Sequence, residues 1–437
     1  MALGAKIFGP FMRCPEMSNR CIAYLGPEIP ALSATFIYEE LLGLERRGIS
    51  ILPFSVRRPS HPAAAQDELT RRTQVLYEGS MLARVVDGLA AALPRPGRRS
   101  AQALGWLTRD MVSVGLHRPM AWKLAYQWLM GARLAHRLQK AGCTHLHVHF
   151  AHTPAQIAMY ASAFSGIPFT IMAHANDIFQ RGLLLQEKAQ RANRLVTISR
   201  YNLTYLLSLG VPIDKLAVVR CSVSFAPRLS VQAFENKTHY RIGTLCRLVE
   251  KKGVDDLLRA LVLMRNASWQ VDLSIAGDGP LRNELEQLVD ELGLRASVQF
   301  IGAVGHAAVA DWLSSLDVFV VACKQDSNGD MDGIPVVLME AMSQHVPVVS
   351  THLSGIPELV AHEHTGLLAT PADPVSLAHE LQRLLDSPEL RSRLATAGAK
   401  HVQAEFGQAV NLDRLLHYFS LPEGGEFTYP SRPIAQP

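Results

Sequence analysis

The chain has 437 residues, 48% hydrophobic and 19% charged, with a formal net charge of +4. That length exceeds one ordinary core and predicts two domains of roughly 200 residues each. The composition is that of a globular enzyme, and no run approaches the ~18 unbroken apolar residues of a membrane span. Residues 1–20 carry no apolar core with a small-residue cleavage site, so no signal peptide is read and a cytoplasmic location is expected.

In chain order, residues 21–25 read as the first strand, 33–47 as a helix stopped by Gly48, and 49–54 as a second strand. Pro- and Arg-rich stretches at 57–62 and 94–99 interrupt the alternation, with helices expected between them. Strands resume at 145–150, 169–173, 194–199 and 216–220. Apolar runs of this kind suit a parallel sheet covered on both faces.

Residues 225–238 form the candidate linker, and a second α/β series follows at 240–245, 271–276, 298–302, 317–322 and 346–350. The expectation is two doubly wound units, 1–224 and 239–405. A terminal helix at 406–420 is expected to pack back on the first unit, and 421–437 to form an irregular tail. A ligand would then lie in the cleft between facing strand ends.

Six cysteines, Cys14, Cys21, Cys143, Cys221, Cys246 and Cys323, show no C-x-x-C pair, which argues for free thiols over a zinc site or a disulfide framework. Residues 84–140 hold ten lysines and arginines against two acids, together with Trp106, Trp122, Tyr126 and Trp128. A basic, aromatic helical stretch suits either an anionic membrane surface receiving a lipid-linked substrate or an ordinary solvated helix pair. No nucleic-acid motif accompanies the charge, so no nucleic-acid partner is expected.

Several polar groups fall at strand ends. Asp332 and Glu340 stand eight residues apart with an apolar helix pattern after Asp332. Read as one helix, the spacing puts both acids on nearly the same face, one to meet a hexose and one a ribose. Arg247 and Lys252 follow a strand and suit a diphosphate, the guanidinium as a fork and the ammonium as a point charge. Gly277-Asp278-Gly279-Pro280 is a strand-to-helix turn whose glycines permit close approach of a ligand. The G-x-G-x-x-G and G-x-x-x-x-G-K-[ST] fingerprints are absent, which counts against nicotinamide chemistry and P-loop hydrolysis. His145, His147 and His149 share one strand face and invite a metal. No carboxylate stands beside them at ligand spacing, so no metal is expected, and His149 and His152 read as polar lining of the cleft. His174 closes another strand and suits a sugar hydroxyl, with Asp177 orienting its loop.

Taken together, Gly243-x-Leu245-x-Arg247 with Lys252-Gly253, the 277–280 turn, Asp332-x7-Glu340-Ala341 and Gly355-Ile356-Pro357-Glu358 resemble the retaining glycosyltransferases of family four. Ser33-Ala34-Thr35-Phe36, His149 and His174-Ala175-Asn176-Asp177 resemble that family's exopolysaccharide and colanic-acid branch. The resemblance implies the GT-B fold, two tandem Rossmann-like domains with a ligand cleft between them. It implies transfer of a hexose from a UDP- or GDP-sugar to a lipid-linked or growing glycan, with no obligatory metal or cofactor and a possible peripheral location at the inner membrane face.

By the same resemblance, donor binding falls to Arg247, Lys252, Gly277, Gly333, Ile334, Pro335 and Glu340. Catalysis falls to Asp332, His174, Arg247 and Lys252, and the acceptor side to Ser33, Thr35, His149 and His152. Two positions depart from the family pattern: Asp332 stands where glutamate is usual, and Ser222 where glycine is common. Two rival readings stay open, a hydrolysing nucleotide-sugar 2-epimerase and a non-catalytic nucleotide-sugar-binding protein.

Overall fold

The computed structural model describes residues 21–31, 35–59, 67–93, 97–180, 182–223 and 234–420. The first half builds a seven-stranded sheet from β1 (Cys21–Gly26), β2 (Ser50–Ser55), β3 (Gln74–Val75), β4 (Cys143–His149), β5 (Phe169–Ala173), β6 (Arg194–Thr197) and β7 (Leu216–Val218), in the order β3-β2-β1-β4-β5-β6-β7. The second half builds a six-stranded sheet from β8 (Tyr240–Leu245), β9 (Val271–Ala276), β10 (Val298–Gly302), β11 (Val318–Val320), β12 (Val348–Thr351) and β13 (Leu367–Ala369), in the order β10-β9-β8-β11-β12-β13.

Every pairing between these strands is parallel. Short apolar strands joined by helices suit this arrangement, because a parallel partner is reached only through a crossover. Strand order reverses between β1 and β4 in one sheet and between β8 and β11 in the other, and at such switch points the loops after the strands diverge and leave room for a ligand.

Side chains along each strand alternate between two cores. On β1, Ala23 and Leu25 join Leu146, Val148 and Ile171 under one helical layer, while Ile22 and Tyr24 join Ile37, Leu41 and Met172 under the other. That second layer also takes Leu412, Leu415 and Phe419 from the last helix, Gln408–Ser420. The chain therefore crosses back: Gln408 Nε2 donates to Glu39 O at 2.8 Å, and Arg47 donates to Asp413 at 2.5 Å.

Three details differ from the sequence reading. Edge strands β3 and β13, two and three residues long, give too short a signal for period or run length to detect. The helix that carries Glu340 begins only at Val336, so Asp332 lies in the preceding loop and the shared-face argument for Asp332 and Glu340 fails. Ser33, most of the 225–238 linker and the 421–437 tail lie outside the described residues, as does the side chain of Thr35, whose backbone opens the helix Thr35–Glu45.

Candidate functional site

Loop 246–252 leaves β8 at the switch point of the second sheet, and loop 321–335 leaves its neighbour β11. Polar groups lace the two loops together. Glu250 accepts from Ser327 N at 3.1 Å and from Ser327 Oγ at 2.8 Å, and Lys324 Nζ sits 2.8 Å from Asp255 and 2.9 Å from Asp256. At their centre Lys252 Nζ donates to Asp332 Oδ2, and Lys251 reaches Asp332 Oδ1 at 3.3 Å and Asp330 at 2.8 Å.

Burial by itself would raise the Asp332 carboxyl, yet the Lys252 and Lys251 ammoniums outweigh it and hold that group below its ordinary value. Burial would likewise lower Lys252, and the Asp332 carboxylate outweighs it and holds the ammonium above its ordinary value. Cys323 Sγ lies 3.5 Å from Asp332 Oδ2, and burial, then the neighbouring carboxylate, pushes its thiol well up. This centre is a charge-balanced set of two lysines and two aspartates, each side chain mostly but not wholly buried.

Arg247 stands apart from that cluster and is exposed. It lines a cleft of about 510 Å³ whose other walls are Pro27, Glu28, Ala31, Val56, Arg57, Phe150, His152, Thr153 and Pro154 of the first half. These come from the loops after β1, β2 and β4, so one guanidinium of the second domain faces the carboxyl ends of the first sheet. His152 thus lies where the sequence reading puts it, against the ring of Phe150 at 5.5 Å.

Gly277 has φ +113°, and a Cβ there would fall 1.9 Å from Cys246 O. Its amide donates to Gly302 O at 2.7 Å. The position admits only glycine because the Arg247 loop lies directly on it. Gly277 therefore supports the loop that carries Arg247. A Cβ on Gly333 would come within 2.8 Å of Ile198 Cδ1 and 3.5 Å of Ala175 Cβ, so the loop after Asp332 rests against the first domain. Asn176 Nδ2 also reaches Asp330 Oδ2 across the same gap at 3.5 Å. Ile334 and Pro335 lead into the helix Val336–Ser343. No described side chain caps that helix, which leaves first-turn amides and a positive dipole end for an anion. Glu340 is its fifth residue and is half-buried.

The histidines depart most from expectation. His149 is fully buried, with Nε2 3.1 Å from Glu40 Oε1 and Nδ1 3.5 Å from His174 Nε2, so it does not line the cleft. His174 is buried beneath Phe36 and Phe150, at ring separations of 4.8 and 4.7 Å. Burial, then the neighbouring imidazoles of His149 and His152, drives His174 well below the ordinary histidine value, and it stays neutral. Asp177 accepts from His174 N at 2.8 Å and also from Ala151 N, tying the ends of β4 and β5 together.

Sequence reasoning missed Lys251 and Asp330, although both stand beside residues it singled out. It quoted Glu358 within a motif but gave it no role: the carboxylate accepts from Arg200 N at 3.0 Å and Tyr201 N at 2.9 Å and pairs with Arg220 at 2.9 Å. Only the fold brings these partners together.

Comparisons with known proteins agree with this architecture. Residues 227–401 match the family described as "Glycosyl transferases group 1", and residues 33–226 match "Glycosyltransferase Family 4". The chain is 31% identical over 245 residues to the amylovoran biosynthesis glycosyltransferase AmsK of Erwinia amylovora, spanning 54% of this chain and 60% of that protein. It is 28% identical over 408 residues to the putative colanic acid biosynthesis glycosyltransferase WcaL of Escherichia coli, spanning 88% and 95%. Among solved structures, Anabaena HepE in complex with UDP superposes with a TM-score of 0.68 at 15% identity, covering 92% of this chain and 99% of that one, which speaks for the fold. With two parallel Rossmann-like domains and two family matches that together run from residue 33 to 401, the chain belongs to the GT-B glycosyltransferases of family-four type.

Proposed function

We propose that this glycosyltransferase moves a hexose from a UDP- or GDP-sugar to a lipid-linked or polysaccharide acceptor, with retention of anomeric configuration, in exopolysaccharide assembly. The relatives' names, amylovoran and colanic acid biosynthesis, support the pathway class, and a UDP complex of a protein with the same fold supports the donor class. The observation that supports the reading is the pair of switch-point loops of the second sheet, which Lys252 and Asp332 join to each other and one of which carries Arg247 into a cleft walled by the first domain.

Transfer of this kind needs charge stabilisation and positioning more than acid-base machinery. Arg247 meets the diphosphate as a fork. Lys252, held by Asp332 before donor arrives, is shared with the diphosphate once it is seated. The first amides of the helix Val336–Ser343 add their dipole, Glu340 holds the ribose, and Asp332 with the amides of Gly333 and Ile334 reads the hexose. On the first domain, His174 meets the sugar through a small shift of the rings that cover it. The acceptor hydroxyl attacks from the face the diphosphate leaves, and a diphosphate oxygen takes its proton.

A lipid-linked acceptor is supported by the outer surface of helices Met81–Ala92, Arg98–Val114 and Pro119–Lys140. Leu82 and Leu93 are each 75% exposed, Val112 67% and Trp122 64%, beside exposed Arg109, Arg118 and Lys123. The other aromatic residues of this stretch turn inward: Trp128 donates to Ala103 O at 3.0 Å, and Trp106 packs under the Arg191 guanidinium at 4.7 Å. Among the described residues no helix is long and apolar enough to cross a membrane. Association is therefore proposed at the surface.

The test is product analysis with donor and a lipid-linked sugar acceptor in vesicles, reading the anomeric configuration of the new linkage. An α-donor giving an α-product supports the reading, and a β-product removes retention. Donor alone yielding a free sugar epimer would establish the epimerase instead. Donor binding without turnover in wild type, Asp332→Glu and Asp332→Ala would establish a non-catalytic binder.

A further inference from the structure

We propose that Glu40, His147 and His149 form a binding site for one divalent transition-metal ion of the zinc class, buried between the helix Thr35–Glu45 and strand β4. Glu40 Oε1 lies 3.1 Å from His149 Nε2 and 3.6 Å from His147 Nε2, and the ligand atoms of all three lie within 4.8 Å of one another. Zinc bonds of 2.0–2.1 Å in a tetrahedron set neighbouring ligand atoms ~3.3 Å apart. Two edges of the triangle already bracket that length.

His147 Nε2 supplies the independent indication of a ligand. The residue is 0% exposed, and this nitrogen has no hydrogen-bond partner among the described residues although it points toward the carboxylate. A buried polar atom left unmatched is costly, so its persistence calls for a partner. A neutral imidazole with a free lone pair is the form that binds metal.

Both imidazoles are also braced from behind, as metal ligands are. His147 Nδ1 lies 2.7 Å from Thr170 Oγ1 and His149 Nδ1 lies 3.5 Å from His174 Nε2, while Tyr24 Oη donates at 2.8 Å to Glu40 Oε1 itself and fixes where that oxygen sits. Two imidazoles and one carboxylate favour zinc, cobalt or nickel over magnesium and calcium, which require oxygen donors. The Glu40 side chain keeps 13% of its surface exposed, so the site has an open edge. The sequence reading missed it because the carboxylate arrives from 107 residues upstream of His147, on a helix whose register only the fold reveals. The ion would pin that helix to β4 beneath Phe36 and His174, and the proposal does not depend on the identity of donor or acceptor.

The experiment uses the full chain stripped with a chelator and titrated with Zn²⁺ by calorimetry, with Co²⁺ absorption spectra and thermal unfolding in parallel. Wild type is expected to bind one tight equivalent, raise its Tm, and show intense visible Co²⁺ bands of a four-coordinate site. Glu40→Gln and His147→Phe are expected to weaken that equivalent by more than the roughly 100-fold that loss of a mere outer-shell partner costs and to lose the bands, while His379→Asn, at an exposed position, leaves both unchanged. The metal-free Tm of each variant reports its fold, and Glu40→Gln, which keeps shape and hydrogen-bonding atoms, decides the matter if His147→Phe does not fold. Absence of a tight equivalent in wild type, or equal affinity in wild type and Glu40→Gln, overturns the proposal in favour of a plain hydrogen-bonded cluster. Sugar transfer, measured on the same samples, tests the proposed function separately.

Discussion

Arg247 and Asp332, both assigned to the proposed donor site, are held in opposite ways. Arg247 is exposed on a cleft wall and contributes no buried contact, so Arg247→Ala leaves folding stability within ~0.5 kcal/mol. If the guanidinium carries diphosphate charge as it forms, the same change lowers the rate of transfer by roughly 100-fold, the scale at which one preorganised charge-stabilising donor is lost. Arg247→Lys restores part of it, having charge without the fork. Steady-state kinetics alongside a denaturation curve checks both halves, and an unchanged rate would remove Arg247 from the diphosphate role.

Asp332 is the opposite case, a partly buried carboxylate already clamped by two lysines. Its folded value lies below the unfolded one, so its contribution is fully present above about pH 4–5 and is lost as acid takes the pH down through the folded value. Lys252 is raised, so its share is present below the unfolded lysine value near pH 10 and fades as alkali takes the pH upward. Asp332→Asn is therefore expected to cost about 3 kcal/mol at neutral pH, by leaving a buried ammonium without its counter-charge, and to flatten the acid limb of stability against pH. Thermal unfolding from pH 3 to 8 for both proteins reads this, and parallel acid limbs would show that the pair contributes little. The family's usual glutamate would reach one methylene further, and Asp332→Glu tests whether that reach alters donor choice.

At the level of elements, the helix Arg200–Ser208 of the first domain is joined to the second by one carboxylate. Glu358 accepts from the Arg200 and Tyr201 amides at the helix N-terminus, where negative charge is favoured, and pairs with Arg220 at 2.9 Å. Because these bonds exist only while the domains are together, Glu358→Ala is expected to favour a more open arrangement. It should lower stability by about 1–2 kcal/mol, the typical cost of losing a cap. Small-angle scattering would register a larger radius of gyration, and KM for donor would rise more than kcat falls. Unchanged scattering would show that other contacts hold the closure.

The sequence was most informative where a signal is local. Runs such as Phe169–Ala173, Tyr240–Leu245 and Val271–Ala276 coincide with strands because an apolar run bounded by turn residues is itself the physical requirement for a buried parallel strand. The helix after Asp332 began four residues late because Pro335 and the Gly333 contact with Ile198 set its start, and neither effect belongs to hydrophobic period. His149 and His174 fall at strand ends as read, yet only the closing of Phe36 and Phe150 over them decides that they are buried.

For the molecule as a whole, the basic stretch of residues 84–140 becomes a surface once folded. Its inward faces bury Ala103, Leu107, Leu124 and Met130, while Leu82, Leu93, Val112 and Trp122 remain in solvent beside arginine and lysine. Exposed apolar side chains scattered singly need no explanation, but several on adjacent helices, interleaved with cations, have the composition of a face that rests on anionic lipid. Cationic side chains near such a surface each contribute about 1 kcal/mol. Trp122→Glu combined with Leu82→Glu should therefore abolish co-sedimentation with phosphatidylglycerol-containing vesicles while leaving unfolding unchanged, since both side chains lie outside the core. Transfer to a vesicle-embedded acceptor should fall with binding, and transfer to the same sugar acceptor on a short soluble tail should persist. Loss of both activities would place the two residues in the catalytic fold, and retention of both would mean that the acceptor reaches the cleft without this face.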